Sequence, residues 1–306
     1  MSILNQKTIN KKISFNGVGL HTGNKVQLNL LPSEPNTGIT FKRVDIKENN
    51  IVIPRFNNVT DTTLCTTLSN EHGVSVSTIE HLMGALYGIG IDNLLVEVNS
   101  QELPILDGSA KKFVEKILSV GIKSSSAPIK LIKINKKIDY VEGTKYVSLD
   151  TSKVASEIDF EINYKNKIIG TQRNKINVFN DDLKEIFESR TFCLYEDVEK
   201  LKKAGLAQGG SLDNAIVVGE NQIVNSEALR NNKEFVNHKI LDCMGDLYLS
   251  GYRIVGSLRT SEGGHALTNK ILRKLFLDKS NFTVIEIKEK TLPYQILDRS
   301  YLKSIA

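Results

Sequence analysis

Cysteine is scarce. The 306 residues contain three, Cys65, Cys193 and Cys243, an odd number with no CxxC pair. That argues against a disulfide framework and for a reducing cytosol. Long apolar runs are also missing: the longest uncharged stretch, Leu82 to Ile91, falls far short of the ~20 residues of a membrane span. Met1 to Phe15 mixes Asn, Lys and Ser with isolated Ile and Leu and carries no secretion signal. The expected setting is cytoplasmic, with no stable membrane insertion. Neither charge is in marked excess: 40 Lys and Arg against 35 Asp and Glu leave +5. That balance is too weak to point to nucleic acid, although it tolerates an anionic small molecule. Glycine patterns for dinucleotides or a P-loop are absent, since Gly17-Val18-Gly19 lacks both a third glycine and a following helix.

What remains is an ordinary globular composition, 40% hydrophobic and 25% charged. At one domain per ~150 residues, two domains are expected. Residues 123–128, Lys-Ser-Ser-Ser-Ala-Pro, read as a linker, dividing the chain into domains 1–125 and 126–306. Upstream, Val26–Leu31 and Ile39–Val44 alternate as half-buried strands do. A helix over Ser77–Tyr87, a strand Asn93–Val98 and a helix Ser109–Val120 follow. Downstream come strands at Ile129–Ile134, Tyr146–Leu149 and Ile158–Tyr164, then a hairpin with Gly219-Glu220-Asn221 at its turn. The chain closes with a helix Glu234–Leu249, a strand Arg253–Leu258 and a helix Ala266–Leu277. Each half thus ends in helix–strand–helix after a set of strands. The expected fold is α+β, two related domains that each cover one face of a sheet with helices.

Histidine is sparse as well, and four of the five stand in pointed contexts. His72, in Asn-Glu-His-Gly, reads as a turn residue on the surface. On a helical wheel of 238–248, Ile240, Leu241, Met244, Leu247 and Tyr248 gather on one side, and His238, Lys239, Asp242, Gly245 and Asp246 on the other. Two readings stand: an amphipathic helix with a wet face, or metal ligation by His238 and Asp242 from adjacent turns. In Ser77-Thr78-Ile79-Glu80-His81-Leu82-Met83, the core stripe is Ile79, Leu82, Met83 and Leu86, and His81 lies away from it. Gly84 and Ala85 are small enough to let another element approach His81's side. Glu80 fits a capping box with Ser77, but a Glu beside a ligating His is also how metallohydrolases place a general base. Gly263-Gly264-His265 is either backbone approaching a ligand or a loop with a helix cap. Thr191, in Ser189-Arg190-Thr191-Phe192, offers a hydroxyl donor.

Several segments together resemble a known family. They are Val18-Gly19-Leu20-His21-Thr22-Gly23, Ser77 to Leu82, Pro104-Ile105-Leu106-Asp107-Gly108-Ser109, Arg190-Thr191-Phe192, His238 to Asp242 with Gly245-Asp246-Leu247, and Gly264-His265-Ala266-Leu267. Their order and spacing are those of the zinc-dependent UDP-3-O-acyl-N-acetylglucosamine deacetylases of lipid A biosynthesis. The resemblance runs through essentially the whole chain.

The resemblance implies two β-α-α-β layered domains with the active site between them. It implies one catalytic Zn²⁺ held by His81, His238 and Asp242, with Glu80 as general base. His265 would be the general acid, oriented by Asp246, with Thr191 on the oxyanion. Lys239 would line the substrate site, His21 lies in a matching motif, and Lys145 falls where the nucleotide is bound. The substrate implied is a small UDP-sugar carrying an acyl chain, deacetylated by a monomer in the committed step of lipid A biosynthesis. The stretch 194–224 would form an acyl passage lined by Leu201, Leu206, Leu212 and Ile216, residues that equally suit ordinary packing. Glu262 stands where a basic residue is usual in the family, and Thr268 where an Asn is usual. Two other functions fit less well: a zinc amidohydrolase for a different N-acyl sugar, and an RNA-binding module. The second is disfavoured by weak charge and by the lack of aromatic–basic clustering.

Overall fold

A computed structural model of the chain describes residues 5–287; residues 288–306 of the expected second domain lie outside the described residues. The first half contains strands β1 (Asn5–Ile9), β2 (Ile13–Val18), β3 (Lys25–Pro32), β4 (Ile39–Arg43), β5 (Ile51–Val52), β6 (Val59–Asp61), β7 (Thr67–Ser69) and β8 (Ser75–Val76). Helix α1 (Glu80–Ile89), β9 (Leu94–Val98), α2 (Lys111–Val120) and β10 (Ile122–Pro128) complete it. The second half runs β11 (Lys130–Ile134), β12 (Ile138–Glu142), β13 (Lys145–Asp150), β14 (Ser156–Asn163), β15 (Thr171–Asn177), α3 (Lys184–Glu188), β16 (Phe192–Leu194), α4 (Tyr195–Lys203) and β17 (Ile216–Val218). It ends with α5 (Glu234–Leu247), β18 (Arg253–Ser261), α6 (His265–Leu277) and β19 (Phe282–Glu286). Among the described residues no helix is long and apolar enough to cross a membrane.

Alternation builds the strands. In β3, Val26, Leu28 and Leu30 are buried while Lys25 and Gln27 face water. The first large sheet orders β2-β3-β9-β4-β5, with β9 antiparallel to β3 and parallel to β4. In the second, β18 runs parallel to β11 and β14 and antiparallel to β13. Each half therefore closes on the same unit, α1-β9-α2 or α5-β18-α6, with its middle strand inserted beside a parallel neighbour. The fold is α+β, as the pattern of elements predicts.

The segment expected to be a linker is a strand. Lys123 to Pro128 lie in β10, which pairs antiparallel with β1. Small polar residues leave an extended backbone free to form ladder hydrogen bonds, and β1 supplies the partner groups. The expected hairpin turn is present: the Gly219 N–H donates to the Gln222 carbonyl, and Val218 bridges Ile223.

Helices of the two halves meet in the middle, with α2 on α1 and β2, and α6 on α5, β12 and β13. The layer order is sheet, helices, helices, sheet. The α1–α5 contact is the most extensive between helices. All of α1 is buried, as is every residue of α5 except Lys239. Two glycines permit this approach. A Cβ on Gly245 would stand 2.1 Å from the Glu80 carbonyl oxygen, and one on Gly84 would stand 2.7 Å from that of Leu241. The polar side of α5 therefore keeps only Lys239 partly exposed; the rest is covered at the crossing with α1.

Candidate active site

The α1–α5 crossing gathers His81, His238 and Asp242. Their nearest ligand atoms all lie within 4.8 Å of one another, and all three residues are buried. Both His81 Nε2 and His238 Nε2 stand 3.5 Å from Asp242 Oδ1. That oxygen is buried and takes no hydrogen bond from any described residue. An orphaned carboxylate oxygen between two imidazoles is costly unless something cationic completes it. The Nδ1 of His238 lies 3.1 Å from the Ser189 carbonyl, which selects the tautomer that turns a bare Nε2 inward. Burial pushes the His238 pKa down to about 3, the neutral form a ligand requires. Lys239 Nζ donates to the other oxygen, Asp242 Oδ2, at 2.9 Å. Burial opposes ionisation of Asp242, but His238 and Lys239 outweigh it and hold the carboxyl well below its usual range. The three residues fit a divalent metal ion.

Glu80 opens α1, and the capping box expected with Ser77 is not made. Thr78 takes a left-handed φ of +56°, and the Ser77 hydroxyl donates instead to the Gln101 carbonyl at 3.1 Å. The helix starts two residues too late for Ser77 to cap it, with Ile79 in the cap position. Glu80 Oε2 instead accepts the Thr66 N–H at 3.1 Å. Burial pushes the Glu80 pKa above its ordinary value, against the pull of His265 and His81.

His265, the first residue of α6, directs Nδ1 at Asp246 Oδ2 over 2.8 Å. Burial disfavours its cation, but the Asp246 carboxylate, assisted by Glu80 and Asp242, outweighs that and holds its pKa up at about 9. Of the two glycines ahead of it, Gly263 is close-packed, a Cβ there standing 2.4 Å from the Thr260 hydroxyl oxygen, whereas one on Gly264 would meet nothing within 4 Å.

Beside this cluster opens a cavity of about 390 Å³ between the His21 loop and the 191–224 segment. Thr191 and His21 line it, together with Leu201 and Leu212. Leu206 and Ile216 do not; Ile216 is fully buried core. Neither buried ring nitrogen of His21 has a partner among the described residues. Burial lowers its pKa, with Glu102 pulling the other way. Lys239 Nζ lies 5.8 Å from the Phe192 ring centroid, one residue from Thr191. Lys145 is placed apart, at the exposed end of β13 opposite Glu142. Glu262 is there too, accepting the Thr144 hydroxyl at 2.7 Å.

Two buried residues had no signal in the sequence. Thr66 touches both Glu80 and Asp246. Glu102 accepts the N–H groups of His21 and Thr22 and the hydroxyls of Thr22 and Thr78. Each stands outside the regular elements, Thr66 within a threonine-rich stretch, and only the fold reveals its partners.

A group fit for a metal, flanked by a buried carboxyl with a raised pKa and a buried cationic imidazole, is the equipment of a hydrolase. Residues 6–277 match the family described as LpxC: UDP-3-O-acyl N-acetylglycosamine deacetylase. The UDP-3-O-acyl-N-acetylglucosamine deacetylase of Idiomarina loihiensis is 43% identical over 296 residues, 95% of this chain and 96% of its own. That of Psychrobacter sp. is 42% identical over 287 residues, 93% and 96% of the two chains. That of Pasteurella multocida is 40% identical over 291 residues, 94% and 95%. The chain belongs to this family of deacetylases.

Proposed function

We propose that the chain hydrolyses the N-acetyl group of UDP-3-O-acyl-N-acetylglucosamine, releasing UDP-3-O-acyl-glucosamine and acetate, in the committed step of lipid A biosynthesis. It would act as a cytoplasmic monomer with one Zn²⁺ held by His81, His238 and Asp242. The observation that carries this reading is the orphaned Asp242 Oδ1, set between two imidazoles and flanked by an acid and a base. Zinc in that place supplies Lewis acidity, polarising the acetyl carbonyl and lowering the pKa of water toward ~7.

The protein's own groups supply the proton transfers. Glu80, with Oε2 held by Thr66, presents Oε1 to take a proton from the attacking water. Charge gathering on the acetyl oxygen receives a hydrogen bond from the Thr191 hydroxyl. His265 is fixed through Nδ1 by Asp246, so Nε2 gives its proton to the sugar nitrogen as the C–N bond breaks. The water oxygen thus ends on the acetyl carbon and the amine leaves neutral. Lys239 and His21 border the substrate, Lys145 is assigned to the nucleotide, and the apolar cavity takes the acyl chain.

An acetate-release assay on the UDP-sugar, run beside metal analysis of the same protein, tests this. Glu80→Gln keeps the shape but removes the base, and His265→Ala removes the acid. Each should lose 10²–10⁴-fold in kcat, on the order expected for general acid–base groups, with metal retained. Full activity in Glu80→Gln would refute the assignment.

A further inference from the structure

One residue outside α1, α5 and α6 joins the groups they carry. Thr66 sits in the turn before β7, two residues after Leu64, whose φ is +64°, and is 1% exposed. Its N–H donates to Glu80 Oε2 at 3.1 Å and its hydroxyl to Asp246 Oδ1 at 2.6 Å. The second Asp246 oxygen takes the His265 ring at 2.8 Å. A continuous chain, Glu80–Thr66–Asp246–His265, therefore runs from α1 through this turn to α5 and α6.

We propose that Thr66 is a positioning residue that sets the base and the acid of the deacetylation in register with each other. The proposal rests on Glu80 and His265 having those roles. An ionised carboxylate only accepts, so the hydroxyl must be the donor, and 2.6 Å lies in the charge-assisted range. The β-branched side chain is stiff about χ1, so the backbone that holds Glu80 also aims the hydroxyl. With both oxygens engaged, Asp246 cannot turn away from His265, whose Nε2 stays directed at the substrate. With Oε2 engaged, Glu80 has one free oxygen, and its direction is fixed. Thr66 touches neither water nor sugar in this scheme. It acts through the two groups that do.

Thr66→Val keeps the shape and the N–H but removes the hydroxyl. Displacement of a reacting group by ~1 Å costs on the order of 10²-fold, so a kcat loss of 10- to 10²-fold is expected, with KM within about twofold. Metal content, measured on the same samples, should stay near wild type, and the urea midpoint should fall by no more than the loss of one hydrogen bond, leaving the enzyme folded in the assay. Thr66→Ser restores the donor and should recover most of kcat. Added to Asp246→Asn, Thr66→Val should cost little more, since both break one chain of contacts. Wild-type kcat in Thr66→Val, beside inactive Glu80→Gln and His265→Ala, would overturn the proposal alone. Activity in all three variants would overturn the roles of Glu80 and His265 beneath it. A Thr66→Ser enzyme as slow as Thr66→Val, or a loss that tracks lost metal or lost folded protein, would make Thr66 a packing residue and also overturn the proposal.

Discussion

Gly245→Ala separates local helix preference from the demands of the α1–α5 crossing. Taken alone, α5 should gain about 1 kcal/mol from the change, because alanine is the better helix former. The crossing opposes it. The new methyl carbon would stand 2.1 Å from the Glu80 carbonyl oxygen and 2.9 Å from its carbon, and both atoms belong to helix backbone. Neither can swing aside, so the helices must part by roughly 1 Å to restore ordinary van der Waals contact. Overpacking of this kind costs about 1–3 kcal/mol, and a backbone-on-backbone clash belongs at the upper end. Subtracting the helix gain leaves about 2 kcal/mol of net destabilisation, measurable as a lower urea midpoint with an unchanged slope. The catalytic effect should be larger, because Glu80 and His81 are carried on one helix and Asp242 and Asp246 on the other. A shift of ~1 Å there should lower kcat/KM on the order of 10²-fold and weaken metal retention. Gly84→Ala, with 2.7 Å to the Leu241 carbonyl oxygen and a movable Leu241 side chain as its other neighbour, should follow in weaker form. A Gly245→Ala enzyme as stable as wild type with full kcat/KM would refute this account of the crossing.

The pH profile offers a second handle. In the proposed mechanism His265 acts only while protonated, so activity should fall as pH rises through its pKa of about 9. Asp246→Asn removes the charge that outweighs burial, so the basic limb of kcat/KM should move down to or below the ordinary imidazole value of ~6.5; an unmoved limb would exclude His265 as the acid. Acyl length is a third. Each buried CH₂ contributes ~0.8 kcal/mol, so a substrate four carbons shorter should lose on the order of 10²-fold in kcat/KM; equal rates on both chains would remove the cavity beside Thr191 as the acyl site.

Patterns confined to one element were legible in the sequence. The i,i+4 spacing of His238 and Asp242 and the small side chains after His81 described real surfaces, and the helix–strand–helix ending of each half held. Misreadings arose where the decisive partner lies far along the chain. The polar side of α5 left two readings open, a wet face or metal ligation, because α1, which covers it, lies about 150 residues away. Lys123 to Pro128 looked like a linker because its pairing partner β1 is more than 100 residues upstream. Ser77 and Glu80 had the spacing of a capping box, but the left-handed turn at Thr78 delays the helix and hands Ser77 to Gln101. Thr66 and Glu102 make every cited contact from outside the regular elements, where no periodicity marks them.

The burial of α1 on all sides also has a consequence in time. Chains are synthesised at roughly 5–20 residues per second. Between the addition of His81 and that of Glu234, where α5 begins, roughly 8–30 s pass at that rate. Throughout that interval α1 lacks α5, so Gly84, Gly88 and the Glu80 and His81 side chains face either water or whatever shelters a nascent chain. Glu80 and His81 are made early and stay uncovered until α5 arrives, so the newborn first half is the stage at which this protein is most open to aggregation and proteolysis.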